Sequence, residues 1–286
     1  MSNLIFSGHD TFHCRQFWLK KGYDFINKGM SFNDDNAVLE LGIGKNMVSA
    51  VRFWMKAFGL VDKNETPYKI TKAIFDDNGW DPYLEDEGTL WLLHYFLIKS
   101  NYSSIYSILF TELRKVKPEF NNKNLQDFVA RKYSEYGSFN KNTLKKDFDV
   151  FVKLYLATKN EKDLEENLSG ILTELNLVDE IKRGDKHIKL QSISSKKRQS
   201  LPPEIILFAI ISDDTYGQSI SFQSLYSENG IGNIFAIDQE SLYEKLQLVS
   251  EKYKNIILSN EAGIVEIQFR EQKPSPFQVL KSYYEG

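Results

Sequence analysis

Cysteine is almost absent from this chain. The lone Cys14 excludes an internal disulfide and any zinc site built on several thiolates. A surplus of positive charge is also missing. The 36 Lys and Arg stand against 39 Asp and Glu, giving a formal charge of −3 and a pI of about 5.9. A protein that held nucleic acid over its whole surface would be basic, so any such contact must be a local patch. Long apolar runs are lacking too. The most apolar stretch, Trp91 to Ile98, covers eight residues, against the roughly 20 that cross a bilayer, and it reads as a buried helix. The polar, aromatic beginning lacks the pattern of a signal peptide, so a cytoplasmic protein with no membrane partner is expected. No P-loop, dinucleotide fingerprint, HExxH or nucleophile elbow occurs. Gly42-Ile43-Gly44-Lys45 is phosphate-friendly but lacks P-loop spacing, so NTP hydrolysis is not expected.

What is present is a soluble, globular composition, 42% hydrophobic and 26% charged, too apolar for general disorder. The most informative stretch is Ala37 to Val61 (AVLELGIGKNMVSAVRFWMKAFGLV). A short helix meets Gly42-Ile43-Gly44, and a second helix opens at Lys45-Asn46. Two helices joined by a tight Gly turn are the grammar of a helix-turn-helix, whose second helix can lie in a DNA major groove. Met47, Val51, Trp54 and Phe58 recur at helical spacing as a core stripe. Lys45, Asn46, Ser49, Arg52 and Lys56 fall outside that stripe, where they can reach phosphates or base edges. Tyr68-Lys69-Ile70-Thr71 alternates as a strand would, where a winged helix carries its wing.

The fold class expected is mostly α, an α-rich α+β protein, in three parts. Residues 1–102 form a winged-helix domain opening on a helix from Thr11 to Ile26. Residues 103–200 form a helical middle domain with a second helix-turn-helix-like element. That element pairs a helix from Asn124 to Tyr133 with an amphipathic one from Lys141 to Tyr155, and its outer face offers Lys141, Asn142, Lys145 and Lys146 to DNA. Leu168 to Val178 reads as helix, His187 to Ile193 as strand, and Ser194 to Ser200 as a basic linker. Residues 201–286 are winged-helix-like, with an apolar helix from Ile205 to Ile211, a helix from Gln239 to Tyr253 and a terminal hairpin. Because that longer helix carries both signs of charge, the domain reads as protein-contacting or structural.

Two groups of residues could carry chemistry. Phe6 to His13 (FSGHDTFH) is the densest polar-aromatic cluster, and His9, Asp10 and His13 are the candidate acid–base set. Asp10 would otherwise serve as a helix N-cap. The acidic loop from Asp76 to Gly88 offers oxygen ligands to a hard cation, so Asp10 with Asp81, Glu85 and Asp86 is the candidate metal set, for Mg²⁺ or Mn²⁺. The ordinary alternative is a solvated acidic turn.

Several motifs, in order, resemble one family: Phe6-Ser7-Gly8-His9-Asp10-Thr11-Phe12, Trp18-Leu19-Lys20-Lys21, Leu41 to Val48, Gly79 to Asp86, Thr89 to Tyr95, Asn142 to Asp147, and Tyr283-Tyr284. This is the SspB-like family, long catalogued only as a domain of unknown function and found beside bacterial DNA phosphorothioation genes. The resemblance spans nearly the whole chain. It departs at Asp10, where the family pattern carries Glu, so the acid reaches one methylene less. The resemblance implies a role in single-stranded DNA phosphorothioation, used in antiphage defence. It implies a DNA-nicking subunit that contacts double-stranded DNA and works with a cysteine desulfurase, an ATPase and a sulfur-activating enzyme. The function expected is therefore a DNA-binding subunit of such a system, acting as a metal-assisted nickase. The alternatives are a non-catalytic recruiter of the sulfur-transfer enzymes and a transcriptional regulator.

Overall fold

The computed structural model describes residues 4–157, 169–183, 188–227 and 229–286. Its contacts divide the chain into two compact units, Met1–Ser194 and Ser195–Gly286. Both are α-rich, and each carries one three-stranded antiparallel sheet.

The first unit begins with α1 (Trp18–Asn27), α2 (Ala37–Leu41), α3 (Lys45–Ala57) and α4 (Lys69–Phe75). Its centre is α5 (Glu87–Ser100), in which every residue from Gly88 to Tyr95 is buried. Each large side chain so buried contributes about 1.5–3 kcal/mol of transfer free energy. The expected buried helix at Trp91–Ile98 lies inside it. Next comes α6 (Ser104–Ser107), which widens into a π-helix at Ile108–Leu113 and returns to α geometry in α7 (Arg114–Val116). Then follow β1 (Glu119–Phe120), α8 (Asn122–Lys132), α9 (Lys141–Tyr155), β2 (Asp179–Arg183) and β3 (Ile188–Ser192). The sheet order is β1-β3-β2, with Ile181 opposite Leu190. The buried Arg114 guanidinium donates to Phe110 O (2.6 Å) and Ile193 O (3.1 Å), tying α7 to the end of β3.

Four expectations are corrected. The strand expected at Tyr68–Thr71 is the start of α4. Thr71, Ile74 and Phe75 are its buried residues, a helical spacing that the four-residue alternation concealed, and Thr71 Oγ1 donates to Leu60 O (2.5 Å). The helix expected from Thr11 begins only at Trp18, because residues 14 and 15 are drawn into pairing with the chain at 170–171. Ile171 N–H donates to Cys14 O (3.2 Å), and Arg15 bridges to Gly170. Asp10 therefore caps no helix. The helix expected at Leu168–Val178 is, within the described residues, a 3₁₀ turn at Thr173–Leu175 closed by left-handed Asn176. The strand expected from His187 is β3, His187 itself lying outside the described residues. The basic stretch Ser194–Ser200 is only partly a linker, since Arg198 is buried and its Nε–H donates to Ala236 O (3.0 Å).

The second unit consists of α10 (Pro203–Ile211), β4 (Ser219–Ser221), α11 (Phe222–Leu225), α12 (Ile231–Ile234), α13 (Gln239–Lys252), β5 (Ile256–Glu261), β6 (Ile264–Phe269) and α14 (Pro276–Tyr284). Its sheet order is β4-β6-β5. In α10 every residue from Glu204 to Ile211 is buried. Among the described residues no helix is long and apolar enough to cross a membrane.

Candidate functional site

The turn expected between α2 and α3 forms as the sequence requires. Gly42 closes α2 in the left-handed region (φ 65°), and extended Gly44 opens α3 with no side-chain cap. A residue with a Cβ at position 42 would strain that φ. Along α3, Val51, Trp54 and Phe58 are buried and Met47 is half-buried. Lys45, Asn46 and Ser49 are exposed on its first turns. Arg52 and Lys56 are half-buried and differently employed. Arg52 Nε donates to Glu65 Oε1 (2.5 Å), Arg52 Nη1 to Asn33 Oδ1 (2.9 Å), and Lys56 Nζ to Glu65 Oε1 (2.8 Å). Both cations hold the loop after α3 in place, which leaves the first two turns as the outward basic part of the helix.

Burial on its own would raise the Glu65 carboxyl. The hydrogen bonds and charges of Lys56 and Arg52 outweigh it, so the group sits below its usual value. A depressed carboxyl contributes stability above its unfolded pKa, and that contribution is lost as pH falls through the folded value. Because the pair is partly exposed, the contribution at neutral pH is below about 1 kcal/mol. Glu65→Gln is accordingly expected to cost stability at pH 7. The gap between it and the parent should close between about pH 5 and pH 3, as read from urea midpoints across that range. A gap independent of pH would remove the ion pair as its cause.

Ahead of α1, the segment from Ile5 to Arg15 is pinned to three elements. Ile5 N–H donates to Ser104 Oγ (2.9 Å), and Ser104 N–H returns a bond to Ile5 O (2.9 Å). The Ser7 N–H donates to both carboxylate oxygens of Asp147 (3.2 and 2.9 Å), and His9 Nε2 bonds Asp147 Oδ1 at 3.0 Å. Thr11 N–H donates to His9 Nδ1 (3.2 Å), which leaves Nδ1 without a proton and places the ring proton on Nε2, facing Asp147. His9 and Asp147 are 2% and 1% exposed. On the other side, the His9 ring meets Phe53 edge-on and stacks on Trp54, both from α3. Trp54 Nε1–H donates to Phe12 O (3.0 Å).

Three non-glycine residues of this loop, Ser7 (φ 78°), Asp10 (φ 46°) and Thr11 (φ 71°), lie in the left-handed region, as does Gly8 (φ 113°). Such conformations cost about 1–3 kcal/mol each and persist only where the surroundings fix them. Here α3 and α9 do so. Gly8 is also irreplaceable on contact grounds, because a Cβ there would come within 2.7 Å of the Phe53 ring. Ser7, Asp10 and Thr11 are left exposed on the outside of the turn.

The expected acid–base trio thus separates by role. His9 is a buried strut with both ring nitrogens engaged. Asp10 is exposed, and His13 is buried. Cys14 beside it is fully buried, and burial pushes its thiol up, away from the reactive thiolate. The residue sequence reading missed is Asp147, 138 positions from its partner. Its signals are a carboxylate on the stripe that Leu144, Phe148 and Phe151 make apolar and its place at the end of the Asn142–Asp147 motif.

The acidic loop is committed to structure. Asp81, 6% exposed, accepts from Glu85 N–H (2.8 Å) and Asp86 N–H (3.1 Å), and Asp86 caps α5 by accepting from Gly88 N–H (2.6 Å). Glu85 is exposed. Among the described residues no three His, Cys, Asp or Glu side chains are gathered so as to hold a metal ion. Asp10 lies on the amino-terminal turn, whereas Asp81 and Asp86 accept from backbone N–H groups of the acidic loop.

On α9, Asn140 caps the helix through Asn142 N–H (2.8 Å) and Thr143 N–H (3.2 Å). Lys141, Asn142, Lys145 and Lys146 are exposed, while Asp147 turns inward to the clasp. The Phe6 ring packs edge-on against Phe139 just before the helix. The loop therefore runs along the opening turns of α9 and touches α3 with its other face, joining the two helices whose outer residues were the candidates for DNA.

Fold and site together define an α-rich α+β protein of two units, with a strained amino-terminal loop clasped between two helices. The family model described as "Protein of unknown function (DUF4007)" matches residues 6–284, and the chain belongs to that family. It is similar to SspB, whose crystal structure is 28% identical with a TM-score of 0.85, covering 100% of this chain and 88% of that one. A magnesium ion-bound SspB crystal structure is 26% identical, with the same score and coverage. No curated protein matches the chain.

Proposed function

We propose that this chain is a DNA-binding subunit of a bacterial DNA phosphorothioation system. The likeness to SspB over the whole chain supports a role in that system. The observation that carries the DNA reading is the clasp, which sets one exposed, strained turn against both α3 and α9. Lys45, Asn46 and Ser49 on α3, with Lys141, Asn142, Lys145 and Lys146 on α9, would contact the phosphates of double-stranded DNA. The uncapped N–H groups at the start of α3 favour the same anions. The second unit's order of helix, strand, two short helices, long helix and hairpin supports a winged-helix reading there, and the Gly42 turn supports a helix-turn-helix in the first unit.

Within this reading the protein nicks one strand. Asp10 is the exposed acid of the turn, positioned through His9, and is the group to orient an attacking water. The magnesium-bound form of SspB supports Mg²⁺ as the first cation to test, with Mn²⁺ next. The engagement of both His9 nitrogens favours a second reading, a recruiter that binds DNA and the sulfur-transfer enzymes without cutting. Supercoiled plasmid separates the two. The nickase converts it to open circle with Mg²⁺ or Mn²⁺ but not EDTA, and Asp10→Ala is expected to lose at least about 100-fold in rate while duplex affinity persists. No open circle with any cation, beside intact binding, would leave the recruiter. Nicking that survives Asp10→Ala would move the site elsewhere.

A further inference from the structure

The second unit carries nine Lys and Arg against twelve Asp and Glu, whereas the first carries 27 of each, so the chain's whole formal charge of −3 belongs to the second unit. That excess is concentrated on one face. Along α13, Glu240, Glu244, Gln247, Leu248 and Glu251 recur at three- and four-residue steps and are all exposed, Leu248 at 50%. They therefore share one outward stripe. The two lysines of the same helix bond groups that lie off the stripe. Lys252 Nζ bonds Glu204 Oε1 on α10 (2.6 Å), and half-buried Lys245 donates to Gln199 O (3.5 Å). Lys197 approaches only the first acid of the stripe, Glu240, at 3.9 Å.

The hairpin continues this character. It is fixed to α13 through Ser250, whose hydroxyl donates to Ile256 O (3.1 Å) and accepts from Leu258 N–H (3.3 Å). Between Asn255 and Phe269 there is no lysine or arginine. The hairpin instead exposes Glu261 and, at 62%, Ile264. Nucleic acid is a poor occupant for this stripe, because a phosphate backbone laid along Glu240, Glu244 and Glu251 would meet carboxylates, the exposed Lys254 and Arg270 standing at the ends of the hairpin rather than on the stripe. The right occupant brings positive charge to the glutamates and an apolar group to Leu248 and Ile264, the usual arrangement of an apolar centre within a charged rim.

We propose that α13 and the β5–β6 hairpin form a docking surface for a protein partner with a lysine- and arginine-bearing, leucine-containing face. This goes beyond the DNA reading and does not depend on it. The surface stands whether the first unit cuts DNA, only binds it, or does neither.

The test uses the full chain and a fluorescein-labelled amphipathic peptide with Lys and Arg on one face and Leu on the other. The charge-reversed Glu244→Lys/Glu251→Lys protein is expected to bind it at least about tenfold more weakly, and Leu248→Ala about threefold more weakly. A matched reversal in the first unit, Glu40→Lys/Glu135→Lys, controls for bulk charge and should change affinity less than about twofold. All these positions are exposed, and far-UV circular dichroism checks that each variant is folded. Equal loss in the two reversed proteins, or no loss in the first, would overturn the proposal. So would protection of α13 amides from exchange by duplex DNA, which would assign the face to nucleic acid.

Discussion

Asp147→Ala is expected to unfasten the amino-terminal loop and lower the stability of the first unit by about 3 kcal/mol. The carboxylate accepts from Ser7 N–H and from His9 Nε2, and it is 1% exposed. Removing it leaves the buried His9 ring N–H and the part-buried Ser7 N–H without their acceptor. Asp147→Asn keeps one oxygen for Ser7 or His9 and gives up the charge, so about 1–2 kcal/mol is expected there. All four tryptophans, Trp18, Trp54, Trp80 and Trp91, lie in the first unit. Their fluorescence in a urea titration therefore follows that unit without interference from the second. Hydrogen exchange should localise the effect, with amides of residues 5–12 exchanging fast in the Ala variant while α5 keeps its protection. A loss below about 1 kcal/mol would mean that the loop is held mainly by its packing on Phe53 and Trp54.

The second large effect concerns affinity. Lys45→Ala/Lys145→Ala/Lys146→Ala is expected to weaken duplex binding by about 100-fold at low salt, with little dependence on sequence. Each phosphate neutralised contributes about 0.9 to the slope of log affinity against log salt, so the slope should fall by up to about 3. The substitutions remove exposed side chains from helices whose inner faces stay intact, and no loss of stability is expected. Arg52 and Lys56 make the contrasting pair. Since both bind Glu65, their replacement should show in stability more than in the salt slope. A triple variant with the parent's slope would remove these lysines from the interface.

The parts of the molecule legible in the sequence are those set by neighbours in the chain. The Gly42 turn, the apolar stripe of α3, the buried run Gly88–Tyr95 of α5 and the β5–β6 hairpin all follow from local periodicity and turn chemistry. The four-residue alternation at Tyr68 misled because a strand and the first turn of a helix look alike over so short a window. What could not be read is long-range. Residues 11–17 have the composition of a helix, yet they are held open by bonds to His9, to Trp54 and to the chain at 170–171. His9 and Asp10 read as equal partners in chemistry until Asp147 is seen to occupy one ring nitrogen and the Thr11 amide the other. The acidic loop reads equally as a candidate cation site or a solvated turn, because carboxylates look alike in sequence. Only the backbone N–H groups around Asp81 and Asp86 reveal two helix-start anchors.

The most direct test of the account is hydrogen exchange of the full chain with and without a duplex of roughly 20 base pairs at low salt. New protection is expected at residues 45–52 of α3, at 141–149 of α9 and in the loop from Ile5 to Phe12 between them, with α13 unchanged. Protection confined to the second unit, or absent from both α3 and α9, would contradict it.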